Sequence, residues 1–354
     1  MLKMKLQLIK RYIIAILLFI LVMNFDNIHA QQRMQYSTQI TQGFLQNPAL
    51  VGVENYHDFR LLYNKQWTGY DGAPTAKIIG FSTQVGNDTT NPKTEFKTLP
   101  LIGRLNAQAT SQNLNNQQTT SQSKTKVGWG ALFSSEGDGT ISINEYLVMG
   151  ALHIPIKKNR LSIGTGLGMA QHQFNPANIK LINYNDLTFS KQQPSIFYPT
   201  FQLGAMYYND EFFVGLNSKQ VLKTKFSFSL LSPGKQNQLL SHTFLTAGLR
   251  LKSGDAYSFT TSIVIRHVKN APSTADINLI IDYLDFVKAG LTYRTNGDIA
   301  CIMSIIINHK YSVLYAYDFT SRGLRTLYSN THNLIISTRI GKSNFSNTRP
   351  NNYW

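Results

Sequence analysis

Beyond residue 30 no stretch of this chain approaches the roughly 18 to 20 consecutive apolar residues that a membrane-crossing helix needs, yet from about residue 57 apolar side chains recur at every second position. A period of two places alternate side chains on opposite faces of an extended ribbon, so the chain is confined to β-structure. In Leu161–Ala170 one face carries Leu161, Ile163, Leu167 and Met169, and the other Ser162, Gly164, Gly166, Gly168 and Ala170. The same rule sets Tyr257, Phe259, Ile263 and Ile265 against Ser258, Thr260, Ser262 and Arg266. It also sets Val287, Ala289, Leu291 and Tyr293 against Lys288, Gly290, Thr292 and Arg294.

Fourteen such segments can be read, at 57–67, 75–85, 126–134, 141–154, 160–171, 197–208, 211–219, 239–251, 256–266, 275–283, 285–295, 298–308, 310–318 and 331–340. An even number of strands about ten residues long, each with one apolar face, predicts an all-β fold: a transmembrane antiparallel barrel of outer-membrane type, lipid outside and lumen inside. An exported soluble sandwich or repeat array is the competing architecture, but a sandwich would turn its apolar faces inward. The connections segregate as an up-and-down barrel requires. Tight turns at Lys157–Asn159, Asn209–Asp210, Lys252–Asp255, Tyr283–Asp285 and Asn308–Lys310 share one end, and long stretches at 172–196, 220–240 and 319–330 share the other. Thr295–Asp298 reads as the one short exception at the long-loop end. Residues 86–126, rich in Asn, Gln, Thr, Ser and Lys, fall on the tight-turn side, and are either a disordered partner-binding loop or a missed strand pair.

Composition agrees with a barrel. Aromatic residues make up 12% and charged residues 15%, the latter well below the roughly 25% of ordinary globular chains. Mean hydropathy is −0.18, as for a soluble protein, and it is the combination of many aromatic with few charged residues that membrane barrels show, since only alternate residues meet lipid. Lys3, Lys5, Lys10 and Arg11 precede an apolar run from Tyr12 to Met23, and Ile28-His29-Ala30 offers a small-residue exit, which predicts a signal peptide over residues 1–30. Cys301 is the only cysteine, so an internal disulfide is excluded, and no cysteine near the exit marks a lipoprotein. The formal charge of +16 is scattered and the chain carries an export signal, which argues against nucleic acid and for anionic lipid head groups or an acidic partner.

Motifs for chemistry are weak. Gly164, Gly166 and Gly168 do not match a nucleotide loop, since the third glycine is displaced and no helix pattern follows; they read as lumen packing that lets another element approach the wall. His57, His153, His172, His242, His267, His309 and His332 do not stand at metal-ligand spacing, and no G-x-S-x-G elbow is present. No catalytic, cofactor-binding or metal-binding residue is assigned.

Tyr36-Ser37, then Asn47-Pro48-Ala49, then Gln66-Trp67-Thr68-Gly69-Tyr70-Asp71-Gly72-Ala73-Pro74-Thr75 are the distinctive motifs of the chain, joined near its end by Leu291-Thr292-Tyr293-Arg294 and Tyr315-Ala316-Tyr317-Asp318. With these motifs the segment Tyr36–Thr75 resembles the N-terminal region of the PorP/SprF family of type IX secretion system outer-membrane proteins. Two features depart from that family: His332-Asn333 stands where it usually has His-Glu, and 86–126 is an unusual insertion. The resemblance implies a non-enzymatic outer-membrane component of type IX secretion, and of gliding motility where the two are linked. Its implied partners are outer-membrane lipid, periplasmic ring or linker proteins, and the C-terminal domains of secreted cargo. It singles out Asn47, Pro48, Ala49, Gln66, Trp67, Gly69, Asp71, Gly72, Ala73, Pro74, Thr75, Tyr317, Asp318 and His332 as structural or partner-binding residues. Physically, Gly69, Asp71, Gly72 and Pro74 suit a rigid double turn between the first two strands, and Trp67 suits an interfacial anchor. Asn47-Pro48-Ala49 reads as part of an extended segment that either plugs the lumen or ties the N-terminus to periplasmic partners. The expected organisation is a signal peptide (1–30), an N-terminal periplasmic or plug segment (31–56), a barrel (57–340) with its insertion, and a polar tail (341–354). The alternative function is a pore for small solutes, and a third class is an outer-membrane hydrolase.

Overall fold

The computed structural model describes residues 34, 36–54, 56–69, 72–85, 125–138, 140–175, 195–222, 224–226, 237–254, 256–269, 271–307, 310–319 and 330–340. The signal sequence, the 86–126 insertion apart from its last residues, and the C-terminal tail therefore lie outside the described residues, as do Tyr70, Asp71 and His309.

The strands are β1 (His57–Lys65), β2 (Thr75–Val85), β3 (Lys126–Gly137), β4 (Ile141–Ile156), β5 (Asn159–Phe174), β6 (Ser195–Tyr208), β7 (Phe212–Lys219), β8 (Lys225–Phe226), β9 (Asn237–Gln238), β10 (His242–Ser253), β11 (Tyr257–Val268), β12 (Thr274–Tyr283), β13 (Val287–Arg294), β14 (Ile299–Ile307), β15 (Tyr311–Phe319) and β16 (Thr331–Ile340). All but β8 and β9 form one closed antiparallel barrel of fourteen strands; β8 and β9 pair with each other in the connection between β7 and β10. Closure is made by β1, which pairs with β2 on one side and with β16 on the other, in register from His57 opposite Ile340 to Lys65 opposite His332. A wall that faces hydrocarbon has no water to satisfy a free strand edge, and closure removes both edges.

The faces obey the period-two reading. Leu61, Val148, Leu167, Leu216, Leu279 and Met303 are exposed on the outer face, while Asp58, Arg60, Asn64, Asn278 and Thr292 are buried on the inner one. Tyr257, Tyr283 and Tyr311 stand on strand-terminal residues at one end and Phe319 at the other, all exposed, where aromatic rings suit the two head-group levels.

The end of the barrel that holds His57 and Ile340 also holds the tight turns, and is called inner here; short turns belong to the periplasmic side. There Leu284 and Asp285 both take positive φ, at the centre of a tight turn in which the Phe286 amide donates to the Tyr283 carbonyl at 2.9 Å. The outer end departs from expectation. Short connections occur at 138–140 and 269–273 as well as at 295–298, because β3 runs on to Gly137 and β11 to Val268. Asp138 closes the first by accepting from the amides of Thr140 at 2.9 Å and Ile141 at 2.8 Å.

Candidate functional site: the occupied lumen

Residues 36–54 are buried without exception, and they lie inside the barrel. The expectation of an extended chain around Asn47-Pro48-Ala49 is not met. The segment folds as three 3-10 turns, Gln39–Thr41, Gly43–Leu45 and Pro48–Leu50. Proline suits the first position of a turn, and the Asn47 side chain caps the third one by accepting from the Ala49 amide at 2.9 Å. Gly43 and Gly52 take positive φ, where the chain reverses within the narrow space.

Short 3-10 turns leave many backbone groups without internal partners, and burying them dry would cost free energy. The barrel wall supplies the partners. Ser82 Oγ accepts from the Gly52 amide at 2.8 Å, and His153 Nε2 donates to the Val51 carbonyl at 2.8 Å. Ser162 Oγ donates to the Ala49 carbonyl, and Asn217 Nδ2 to that of Gln46 at 3.1 Å. From the other wall, Arg60 Nη1 donates to the carbonyls of Thr41 and Gln42 at 3.2 and 3.1 Å, while its Nη2 is held by Asp58 at 2.7 Å. Ser37 Oγ donates to Asp318 at 2.6 Å, and Asn333, itself bonded to Asn64, donates to both.

Glycines on the wall make this approach possible. A Cβ on Gly164 would overlap the backbone of Pro48 and Ala49, one on Gly128 the backbone of Val51, and one on Gly204 the Asn47 side chain. Of the three glycines read from sequence as lumen packing, only Gly164 touches the lumen segment; Gly166 and Gly168 abut neighbouring strands.

Charge is paired along the inner wall between neighbouring strands. Asp276 accepts from Arg266 and, at 3.0 Å, from Arg294, and Lys288 meets Asp282 at 3.1 Å. Toward the outer end, Met34, Tyr36 and Leu45 of the segment line a cleft together with Leu132, Phe244 and Arg266.

Near the inner end Glu54 is fully buried, and burial, reinforced by the Asp58 charge, pushes its carboxyl up to about 7 against the pull of Arg339 and Arg60. An acid raised in the folded state holds its proton better than in the detached segment. The anchorage is therefore full below about pH 4.5 and weakens as pH rises toward 7. Hydrogen exchange of residues 50–54, corrected for the intrinsic rate, is expected to speed up between pH 5 and pH 8, and E54Q to flatten that dependence.

The motif residues separate into two groups. Asn47, Pro48, Ala49 and Asp318 belong to the lumen. Gln66–Thr75 joins β1 to β2 at the outer rim, where Gln66 N bonds Pro74 O at 2.9 Å and Trp67, Gly69 and Gly72 take positive φ, so the chain does turn tightly there. Thr68 N bonds Asn330 O at 3.2 Å, which ties this loop to the start of β16. Beside it the rings of Tyr317 and His332 meet edge to face at 5.2 Å, Asn330 donates to the Tyr317 hydroxyl, and Tyr315 hydrogen-bonds His332 at 2.7 Å. Arg60, His153, Ser162 and Asn333 anchor the segment without belonging to any of the distinctive motifs. The available signal was a strand whose inward face, Asp58, Arg60 and Asn64, is more polar than wall packing needs.

A family model described as type IX secretion system membrane protein PorP/SprF matches residues 28–338. Among solved structures, the chain is similar to the toluene transporter TbuX of Ralstonia pickettii, with 10% identity, 84% of this chain and 93% of that one covered and a TM-score of 0.45. It is similar also to the toluene transporter TodX of Pseudomonas putida (10%, 89% and 96%, TM-score 0.41) and to a FadL homologue of Pseudomonas aeruginosa (8%, 87% and 98%, TM-score 0.42). A comparison with curated proteins returns no match.

Proposed function

Because this chain belongs to the PorP/SprF family of type IX secretion system membrane proteins, and is thus an outer-membrane barrel of that system, we propose that it serves secretion as a docking component, not as an enzyme or an open pore. The observation that carries this reading is the filled lumen: residues 36–54 are buried against wall donors on opposite sides. A barrel held shut from within offers its two ends for recognition by shape and charge. In this reading residues 31–56 are the plug of a barrel spanning 57–340, delivered to the outer membrane by a leader over 1–30. Asn47, Pro48, Ala49 and Asp318 seat the plug. Gln66–Thr75 with Tyr317 and His332 forms the outer rim surface, and the inner end meets periplasmic ring or linker proteins or the C-terminal domain of a cargo.

Secretion is the test. Loss of the gene is expected to retain specific cargo inside the cell, and a copy carrying Y317A and H332A, present in the outer membrane at normal level, to restore secretion poorly. Normal export of all cargo without the gene would sink the proposal, and uptake of a small solute lost instead would favour the pore.

A further inference from the structure

A second cleft in the lumen lies between the N-terminal segment and the inner halves of β1 and β11–β16. Its lining includes three cations, Arg60, Lys288 and Arg339, and hydroxyls such as Thr260, Ser304 and Ser337, over a floor of isoleucine and leucine side chains; among the described residues no carboxylate lines it. The charges are incompletely matched from the surrounding elements. Asp58 pairs with Arg60 and Asp282 with Lys288, whereas Arg339 makes no ion pair among the described residues and stacks over Tyr56 at 5.4 Å. The other acids near these cations are Glu54 and Asp285, and Arg250 adds a further positive charge beside Lys288. A cleft lined by hydroxyl groups and by three cations, of which Arg339 makes no ion pair among the described residues, favours an anion, and an apolar floor favours one carried on a hydrocarbon frame.

We propose that this inner cleft is a binding site for organic carboxylates, presented either by an acidic segment of a partner chain entering from the inner end or by a free dicarboxylate. Binding is coupled to the N-terminal segment. The Arg60 guanidinium that lines the cleft also donates to the Thr41 and Gln42 carbonyls, so an anion drawing on Arg60 competes with the hold on that segment. The inference concerns binding chemistry and does not depend on whether the barrel serves secretion.

The experiment is calorimetric titration of the purified full-length barrel in detergent with three probes: a five-residue peptide alternating Glu and Leu, glutarate, and a peptide alternating Lys and Leu. The acidic peptide, glutarate or both should bind and the basic peptide should not. Affinity should fall about tenfold in R339Q, recover in R339K, and weaken with salt, as for loss of one charge-assisted hydrogen bond. Binding should also speed hydrogen exchange in residues 39–45. Tighter binding of the peptide than of glutarate identifies a partner segment as the source, and equal or tighter binding of glutarate a free solute. Absence of binding by both acidic probes, equal binding of the basic peptide, or affinity unchanged in R339Q would overturn the proposal.

Discussion

Removing residues 36–53 is expected to turn a barrel that passes almost no current into a steadily conducting pore. Eight strands enclose a space that side chains alone can fill, whereas sixteen to eighteen leave an aqueous channel, and the fourteen here stand between these limits. The lumen is occupied by a separate stretch of chain that lies in the space between the walls. Without it the wall donors at Arg60, His153, Ser162 and Asn217 would be rehydrated, not stranded, because water enters the same volume. Single-channel recording in planar bilayers is the measurement, with an expected rise in mean conductance of at least about tenfold, set by the width of the emptied barrel. G164V gives a graded version, since its side chain would displace Pro48 and Ala49 while leaving β5 able to pair, and should yield intermittent openings. A wild-type barrel that already conducts like a porin, or a deletion variant that stays closed, would show that the segment does not seal the lumen.

The other large effect is expected at Asp276. This carboxylate, 1% exposed on β12, is shared by the guanidinium groups of Arg266 on β11 and Arg294 on β13, so one anion holds two cations across three adjacent strands. Asp298 stands near Arg294 at 3.6 Å, but Asp276 is the acid that both arginines share. D276N removes the charge at almost unchanged volume and leaves two buried cations facing each other. Breaking a buried pair from one side costs about 3–5 kcal/mol, because the partner keeps its desolvation penalty. Urea unfolding in micelles should show a loss of that size, together with heat-modified gel mobility appearing at lower temperature. Adding R266M to D276N should recover a large part of it by removing the uncompensated cation. Equal stability of D276N and the parent would mean that the lumen around β11–β13 is wet enough to screen both arginines.

Much of this architecture is legible along the chain because lipid imposes a rule on consecutive residues. Each outer-face position must be apolar or aromatic, so 75–85 and 331–340 could be delimited from alternation alone, and the remaining barrel strands to within three residues. Where the rule is relaxed, reading falters. The end of β3 at Ser134–Gly137 has no apolar beat, and so alternation alone places the connection at 135–140 where the structure has 138–140. The hairpin of β8 and β9 is too brief to carry any periodicity.

The candidate site was legible only as a set of motifs. Asn47-Pro48-Ala49 and Asp318 could be singled out as distinctive, and Gly164 as a place of close approach, but nothing along the chain says that they share one lumen or that Tyr317 and His332 point away from it. A strand's alternation is a local property, written within ten or so neighbouring residues and enforced by hydrocarbon on one side. The hold of Asp318 on Ser37 joins residues 281 apart and has no local signature. It comes into being when β1 closes against β16 and carries the N-terminal segment within reach of the far wall, where each buried polar group takes whichever partner the closed lumen presents.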